Sequence, residues 1–140
     1  MERVKIVEGK RQIYDELRKK YVPCTPEEEV RQHFIQYLVK QRGYPRSLLR
    51  AESGIQHNKL SKRYDLLGYN RQGEPFLLVE CKAPGVKISQ KVFNQVAVYN
   101  QEIQAKHLVV TNGNQTYCCS INLNEGKYQF LEAIPNLPET

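Results

Sequence analysis

The sequence predicts an α/β fold in which a mixed central β-sheet is flanked by α-helices. Two segments, near 25–43 and 89–104, have apolar residues at helical spacing, and short strand-like segments lie between and after them. The runs Phe76–Val79 and Leu108–Val110 are apolar without alternation, which is typical of strands covered on both faces. The order is therefore α-β-β-β-α-β followed by C-terminal strands.

The first helix has a clear start signal. Thr25 is placed as N-cap, Pro26 as the first helical residue and Glu28 at the capping-box position. Gly43 and Pro45 end the helical pattern. The apolar residues between these signals recur at helical spacing: Val30, Phe34, Tyr37 and Leu38.

Strands are predicted on both sides of a second helix. The three strands before it are expected near 49–56, 63–69 and 76–82, and those after it near 107–111, 116–121 and 128–133. The second helix is expected to place Val92, Val96 and Tyr99 on one face.

The N-terminal segment 1–21 reads differently from the rest. It is charged and carries a weak helical pattern at Ile13, Leu17 and Tyr21, so we predict a docked helix or a charged, partly disordered arm. Residues 22–140 are expected to form a single domain, because 140 residues suffice for one compact domain and not for two.

Positive charge is concentrated in the first half of the chain. The 21 Lys and Arg against 15 Asp and Glu give +6, with +7 in residues 1–63 and −1 in residues 64–140. This distribution is compatible with a basic face for a polyanion, and equally with an ordinary basic protein.

The location expected for the protein is cytoplasmic. No apolar run approaches the roughly 18 residues of a membrane span, and the first residues mix charges where a signal peptide is apolar. The four cysteines and three histidines lack zinc-ligand spacing, so reduced, mostly buried thiols are expected.

The chemistry is predicted to lie in the hairpin around the turn Arg71–Glu74. If this hairpin is symmetric and lacks a bulge, Asp65 lies opposite Glu80, and Lys82 shares the face of Glu80. Two facing carboxylates are tolerated if they are exposed, if they share a proton, or if they hold a hard cation such as Mg²⁺. The alternative interpretation is that all three are surface charges.

These residues resemble the PD-(D/E)xK nuclease superfamily, and most closely the N-terminal domain of type I restriction enzyme R subunits and its free-standing relatives. The proline of the motif is replaced by Tyr64. The resemblance runs over about residues 22–135 through motifs that occur in the family's order: Thr25-Pro-Glu-Glu-Glu-Val-Arg-Gln-His-Phe34, Gly43-Tyr-Pro45, Lys62-Arg-Tyr-Asp65, Val79-Glu-Cys-Lys-Ala-Pro84 and Thr111-Asn-Gly113.

The resemblance implies a restriction-endonuclease-like core and an Mg²⁺-dependent DNA endonuclease, with Mn²⁺ able to substitute. Asp65, Glu80 and the backbone carbonyl of Cys81 would bind the metal. Lys82 would orient the attacking water or stabilise the transition state, and its position beside two carboxylates favours stabilisation by a protonated amine.

Further site residues are expected on the two helices. Glu27 falls in the apolar sector of the first helix, where a carboxylate needs a partner, and by the resemblance it is the candidate fourth metal ligand. Glu28 is the runner-up, and a solvated first-turn acid is the alternative for Glu27. Gln95 and Tyr99 resemble the Gln-x-x-x-Tyr motif that helps to place DNA, although Tyr99 is equally compatible with a core position.

The remaining expectations concern partners. Lys59, Lys62 and Arg63 are candidates for gripping neighbouring phosphates, and Glu52 is a further candidate acid. The expected partners are DNA, a second copy of the chain, or other restriction-system subunits. No nucleotide cofactor is expected, because the chain has no Walker-type glycine-rich loop. The alternatives to a nuclease are a non-catalytic nucleic-acid-binding module that keeps the fold and a structural interaction domain.

Overall fold

A three-stranded antiparallel sheet forms the N-terminal part of the protein, which we describe from a computed structural model covering residues 3–51 and 64–139. Its strands, in the order β1-β2-β3, are β1 (Val4–Val7), β2 (Lys10–Asp15) and β3 (Lys20–Pro23). The helix predicted here is therefore wrong. Glu8 and Gly9 both have positive φ, as a tight two-residue hairpin requires, and Ile13 is buried as an alternating strand residue.

The first helix, α1 (Pro26–Gln41), begins where the sequence predicts. The Thr25 hydroxyl accepts a hydrogen bond from the backbone N–H of Glu28 at 3.0 Å. The reciprocal half of the capping box is not made, because the Glu28 carboxylate instead binds Arg31 and Gln32. The apolar stripe is confirmed, with Tyr37 half-buried and the other three predicted positions buried.

A mixed six-stranded sheet forms the centre of the fold, with the order β4-β5-β6-β7-β8-β9. Only β6 and β7 pair in parallel, and α2 (Gln90–Ile103) connects them. The strands are β4 (Leu49–Ala51), β5 (Leu66–Tyr69), β6 (Pro75–Cys81), β7 (His107–Thr111), β8 (Thr116–Asn122) and β9 (Lys127–Leu131). The predicted α/β class and the element order are confirmed. Within the described residues, neither α1 nor α2 has the length and apolar character needed to cross a membrane.

The sheet has a core on each face. Val79 and Val109 pack in the core beneath α1, whereas Leu78 and Leu108 pack in the core beneath α2. The prediction that β6 and β7 are covered on both faces is therefore confirmed.

The buried face of α2 differs from the predicted one. Phe93, Val96 and Asn100 are buried, whereas Val92 and Tyr99 are only partly buried. The Asn100 amide accepts a hydrogen bond from the N–H of residue 105 at 2.8 Å and donates one to its carbonyl at 3.0 Å. A polar residue satisfied in this way gives no apolar signal, which explains why the pattern was misread by one position.

Candidate active site

The hairpin of β5 and β6 has the register that the sequence predicts. Leu66 pairs with Val79, and the same register continued by one residue places Asp65 opposite Glu80. A bulge nearer the turn shifts the pairing there, so the hairpin is not symmetric as the prediction had assumed. The pair next to the turn, Tyr69 and Pro75, is centred half a residue earlier than predicted, and the bulge offsets this difference, so the predicted apposition is retained.

Three charged side chains meet where this hairpin ends. The Lys82 ammonium lies 3.2 Å from Glu80 Oε2. The backbone N–H of Cys81 donates a hydrogen bond to Asp65 Oδ2 at 2.7 Å. Glu80 and Lys82 alternate with the buried Cys81, so they share the face of the sheet that carries α2. The structure thus brings together the acid pair and the lysine that the sequence singled out.

The two carboxyl groups influence each other's titration. Burial and then the Asp65 charge raise the pKa of Glu80 to about 7, and a hydrogen bond between the two side chains favours the proton on Glu80. Burial also raises the pKa of Asp65, against the opposing effects of the Cys81 N–H and Arg31. A proton shared between the two carboxyl groups, one of the three arrangements considered for a facing acid pair, would remove their repulsion in the metal-free protein.

Lys82 remains protonated beside this pair. Burial lowers the pKa of its amine, but Glu80 and Asp65 outweigh that effect and raise it. A lysine with a raised pKa is a poor proton acceptor at neutral pH. Its environment favours transition-state stabilisation over general-base action.

The acids of the first helix are placed differently from the prediction. Glu27 is exposed and Glu28 is buried, so the carboxylate that needs a buried partner is that of Glu28. Glu27 nevertheless interacts electrostatically with the site. Burial and then the Asp65 charge raise the pKa of the Glu27 carboxyl group, and the Lys82 charge acts in the opposite direction. Its role as a metal ligand stays a prediction.

Arg31 is a site residue that the sequence reasoning missed. Its guanidinium Nη1 donates a hydrogen bond to the backbone carbonyl of Asp65 at 3.2 Å, and its Nε donates one to Glu28 Oε2 at 2.9 Å. A second guanidinium nitrogen also binds the Glu28 carboxylate, so the pair is bidentate. The motif Glu-x-x-Arg on one helix face was the available signal, but nothing local indicated a contact to residue 65.

Two further predicted site residues, Gln95 and Tyr99, belong to α2. Gln95 is exposed and Tyr99 half-buried on α2, and their part in DNA placement stays a prediction. Lys59, Lys62, Arg63 and Glu52 lie outside the described residues.

Comparisons with known proteins agree with this geometry. The model of the family described as "Type I restriction enzyme R protein N terminus" matches residues 26–135, most of the chain.

The chain belongs to this family.

Among solved structures, the R-protein N-terminal domain described here is similar to a fragment described as an HsdR subunit of a type I restriction enzyme from Vibrio vulnificus YJ016. The identity is 19% and the TM-score is 0.54, and the match covers 79% of this chain and 23% of that chain. No curated protein sequence matches the chain. The restriction-endonuclease-like core and the closeness to R subunits implied by the resemblance are confirmed.

The donor set of this R-protein domain fits one hard cation. Within residues 3–51 and 64–139, no group of three His, Cys, Asp or Glu side chains is arranged around a metal position. Asp65 and Glu80 offer oxygen donors from facing positions of the hairpin. Mg²⁺ is commonly bound by one or two carboxylates, with water and substrate oxygens completing its shell.

The acid pair of the R-protein domain lies outside a groove that borders α1. That groove, of about 740 Å³, runs between α1 and the turn after β7, and its described lining includes Val30, Phe34 and Asn112 but neither Asp65 nor Glu80.

Stability of the metal-free R-protein domain is expected to fall as pH rises from 5.5 to 8. A carboxyl group whose folded pKa is raised from 4.5 to about 7 stabilises the fold while protonated and loses that contribution as pH rises through 7. The expected decrease in unfolding free energy is about 2 kcal/mol, measured by urea unfolding in EDTA.

Glu80→Gln is the matched variant for this measurement, since the amide mimics the protonated acid. Its unfolding free energy should vary with pH by about 2 kcal/mol less than that of the wild type. The exposed Glu102→Gln serves as control and should keep the wild-type dependence. His107 contributes to the pH dependence of the unfolding free energy with the opposite sign, because burial lowers its pKa. Comparing the variants cancels this contribution, since all of them contain His107. Equal pH dependence in wild type and Glu80→Gln would contradict the shared proton.

Proposed function

We propose that this domain is an Mg²⁺-dependent DNA endonuclease that hydrolyses phosphodiester bonds, with Mn²⁺ able to replace Mg²⁺. The observation that carries the proposal is the apposed pair Asp65 and Glu80 with the Lys82 ammonium 3.2 Å from Glu80, in a chain of the R-protein N-terminal family. Two buried carboxyl groups that face each other repel when both are charged, so the arrangement costs stability without a cation. A purely structural role seldom explains such a pair.

Asp65, Glu80 and the carbonyl oxygen of Cys81 would hold the ion, with Glu27 joining through its exposed carboxylate or a bridging water. When bound, a divalent ion lowers the pKa of water and neutralises charge on the phosphate. Loss of the proton from Glu80 makes both carboxylates available as ligands. The Cys81 N–H fixes the Asp65 side chain by a hydrogen bond to Oδ2, and Arg31 fixes its backbone carbonyl.

Lys82 would stabilise the negative charge that develops on the phosphate oxygens. Its ammonium is positioned beside Glu80 before substrate arrives, so little reorganisation is needed as the transition state forms. Gln95 and Tyr99 on α2, and Lys59, Lys62 and Arg63, would contact the neighbouring DNA backbone.

The proposed partners are DNA and the rest of a restriction system. The chain spans about a quarter of the solved HsdR fragment that it matches. We propose that the domain acts with other restriction-system subunits or as a homodimer, in the cytoplasm.

Plasmid cleavage tests the proposed function directly. The chain incubated with supercoiled plasmid and Mg²⁺ or Mn²⁺ should give nicked and then linear DNA, and excess EDTA should abolish the reaction. Cleavage that survives EDTA would contradict the metal mechanism. Tight binding without cleavage of plasmid, duplex or single strand in either metal would overturn the nuclease proposal in favour of the non-catalytic binding module.

A further inference from the structure

One face of the N-terminal sheet carries cations and aromatic rings together. Strand pairing places Lys5 beside Gln12, and Tyr14 beside Tyr21, while the N–H of Tyr14 donates to the carbonyl of Arg3. Because side chains alternate along strands, these residues project from one face, here called the basic face. Its members are Arg3, Lys5, Lys10, Gln12, Tyr14 and Tyr21.

The cations of the basic face are held in place by the rings. The Arg3 guanidinium carbon lies 3.8 Å from the centre of the Tyr14 ring, and Lys5 Nζ lies 4.0 Å from that of Tyr21. The two rings meet edge to face at 5.3 Å. Stacking on a ring restricts a long side chain without neutralising its charge, so the positive groups are arranged in advance.

The segment that carries this face is strongly positive. Residues 3–23 contain seven Lys and Arg against three Asp and Glu, a net charge of +4 out of +6 for the chain. Asp15 is fully buried and accepts from Arg18 Nε at 2.5 Å, so it does not reach the surface. Glu16 is 3.6 Å from Arg3 and also accepts from Gln36 at 3.1 Å. Of the three acids, Asp15 is withdrawn from the surface, Glu16 lies beside Arg3, and Glu8 is exposed in the turn between β1 and β2, so the segment keeps its net positive charge.

Folding does not explain these cations. The opposite face of the sheet carries the buried Ile13 and Asp15 and supplies the packing. Arg3, Lys5 and Lys10 are exposed, and the family match begins at residue 26, after the sheet has ended. The basic face is thus an addition outside the matched family domain.

The sheet is fixed to the helix that borders the candidate site. The N–H of Glu16 donates to Gln32 Oε1 at 3.2 Å, and Arg18 lies 3.8 Å from the Glu28 carboxylate. Glu28 in turn binds Arg31, which contacts the Asp65 carbonyl. A polymer held by the sheet would therefore lie against the same rigid unit as the carboxylate pair.

We propose that the basic face binds the phosphate backbone of duplex DNA, on a sheet that is fixed to the helix bordering the candidate site. The identity of the polymer rests on the proposed nuclease function, whereas the use of this face rests on its charge and geometry. Contacts with phosphates fix register without reading sequence, and each one releases counterions.

The test measures binding of a fluorescent 30-base-pair duplex by anisotropy over a series of salt concentrations, in EDTA so that no cleavage occurs. The triple variant Arg3→Gln, Lys5→Gln, Lys10→Gln should bind about tenfold or more weakly. The slope of log K against log salt should become shallower by about two to three.

The matched control removes the same charge elsewhere on the surface: Lys40→Gln, Lys106→Gln, Lys127→Gln. Its affinity should stay within about threefold of wild type, and circular dichroism should confirm the fold of both variants. Equal affinity and slope for the two triple variants would overturn the proposal. So would loss of binding to phosphatidylserine vesicles with unchanged binding to the duplex, since the face would then recognise an anionic lipid surface.

Failure of the nuclease proposal gives a different result. A wild-type chain that never cleaves plasmid, while the basic-face variant still loses affinity and slope, would leave the DNA-binding face standing. A chain that cleaves normally with an unchanged salt slope in the variant would overturn the face and leave the nuclease standing.

Discussion

Lys82→Met is expected to lower the rate of Mg²⁺-dependent plasmid cleavage by about 10²–10³-fold at saturating enzyme. The side chain is 27% exposed and its ammonium lies 3.2 Å from Glu80 Oε2. Methionine keeps most of the apolar stem and removes the positive charge aimed at the phosphate. The measurement is single-turnover conversion of supercoiled to nicked plasmid.

The effect should appear in the chemical step and not in binding. Duplex affinity of Lys82→Met should remain within about threefold of wild type, because one charge near two carboxylates adds little to the net attraction for DNA. The exposed Lys106→Met is the matched control and should cleave at the wild-type rate. If the cleavage rate of Lys82→Met fell by less than about threefold, Lys82 would have no role in the chemical step.

Asp65→Asn, tested in the same cleavage assay, distinguishes loss of metal binding from loss of the phosphate charge stabilisation proposed for Lys82. The amide oxygen can still accept from the Cys81 N–H, so the local fold is retained. With the neighbouring charge gone, the pKa of Glu80 should move back toward its ordinary value, because Asp65 is one of the causes that raise it. Cleavage should be lost at low Mg²⁺ and recover in part as Mg²⁺ rises, whereas Lys82→Met should not recover.

The sequence predicted the central fold well because its signals there are local. Thr25 and Pro26 mark the start of α1, and the non-alternating run Phe76–Val79 marks a doubly covered strand. The apposition of Asp65 and Glu80 is predicted by counting residues outward from the hairpin turn. It is retained because the bulge offsets a turn that is centred half a residue earlier than the count assumes.

The N-terminal sheet could not be predicted in the same way. Ile13, Leu17 and Tyr21 are spaced by four, which imitates a helix, but Ile13 is a buried strand residue and Tyr21 lies on the opposite face. The hairpin turn depends on Glu8 adopting a positive φ that glutamate seldom adopts. Strand pairing and packing on α1 stabilise such a turn, and neither can be deduced from a few neighbouring residues of the sequence.

The helix acids were misassigned for a related reason. Glu28 was explained by the capping box, so its burial and its ion pair went unnoticed. The contact from Arg31 to the Asp65 carbonyl spans 34 residues of sequence and involves a backbone atom. Periodicity reports which face a residue lies on, but it gives no partner for a buried charge.

That buried pair leads to the largest expected effect on stability. Arg31→Met is expected to lower the unfolding free energy by about 3–5 kcal/mol, because it leaves the Glu28 carboxylate buried without its bidentate partner. Gln32 still donates to that carboxylate at 2.9 Å and Arg18 remains 3.8 Å from it, so the loss should lie toward the lower end of this range. Urea unfolding at neutral pH measures the change.

Two variants isolate the cause. Arg11→Met breaks the exposed pair with Glu29, whose groups are 3.9 Å apart on the surface of the same helix, and should cost less than about 1 kcal/mol. The double variant Glu28→Gln, Arg31→Met removes the unpaired charge and should recover at least half of the loss. If Arg31→Met were no more costly than Arg11→Met, the pair would not be buried as described.

Stability and function should separate in the double variant. The Asp65 carbonyl loses its guanidinium donor whether or not Glu28 is neutralised, so cleavage should stay below wild type even where stability has recovered. Arg31→Lys should restore the charge but only part of both properties, because one ammonium lacks the planar fork that binds Glu28 and the carbonyl together. A double variant that cleaves like wild type would restrict Arg31 to a structural role, and the positioning of Asp65 would then rest on the Cys81 N–H alone among the contacts described.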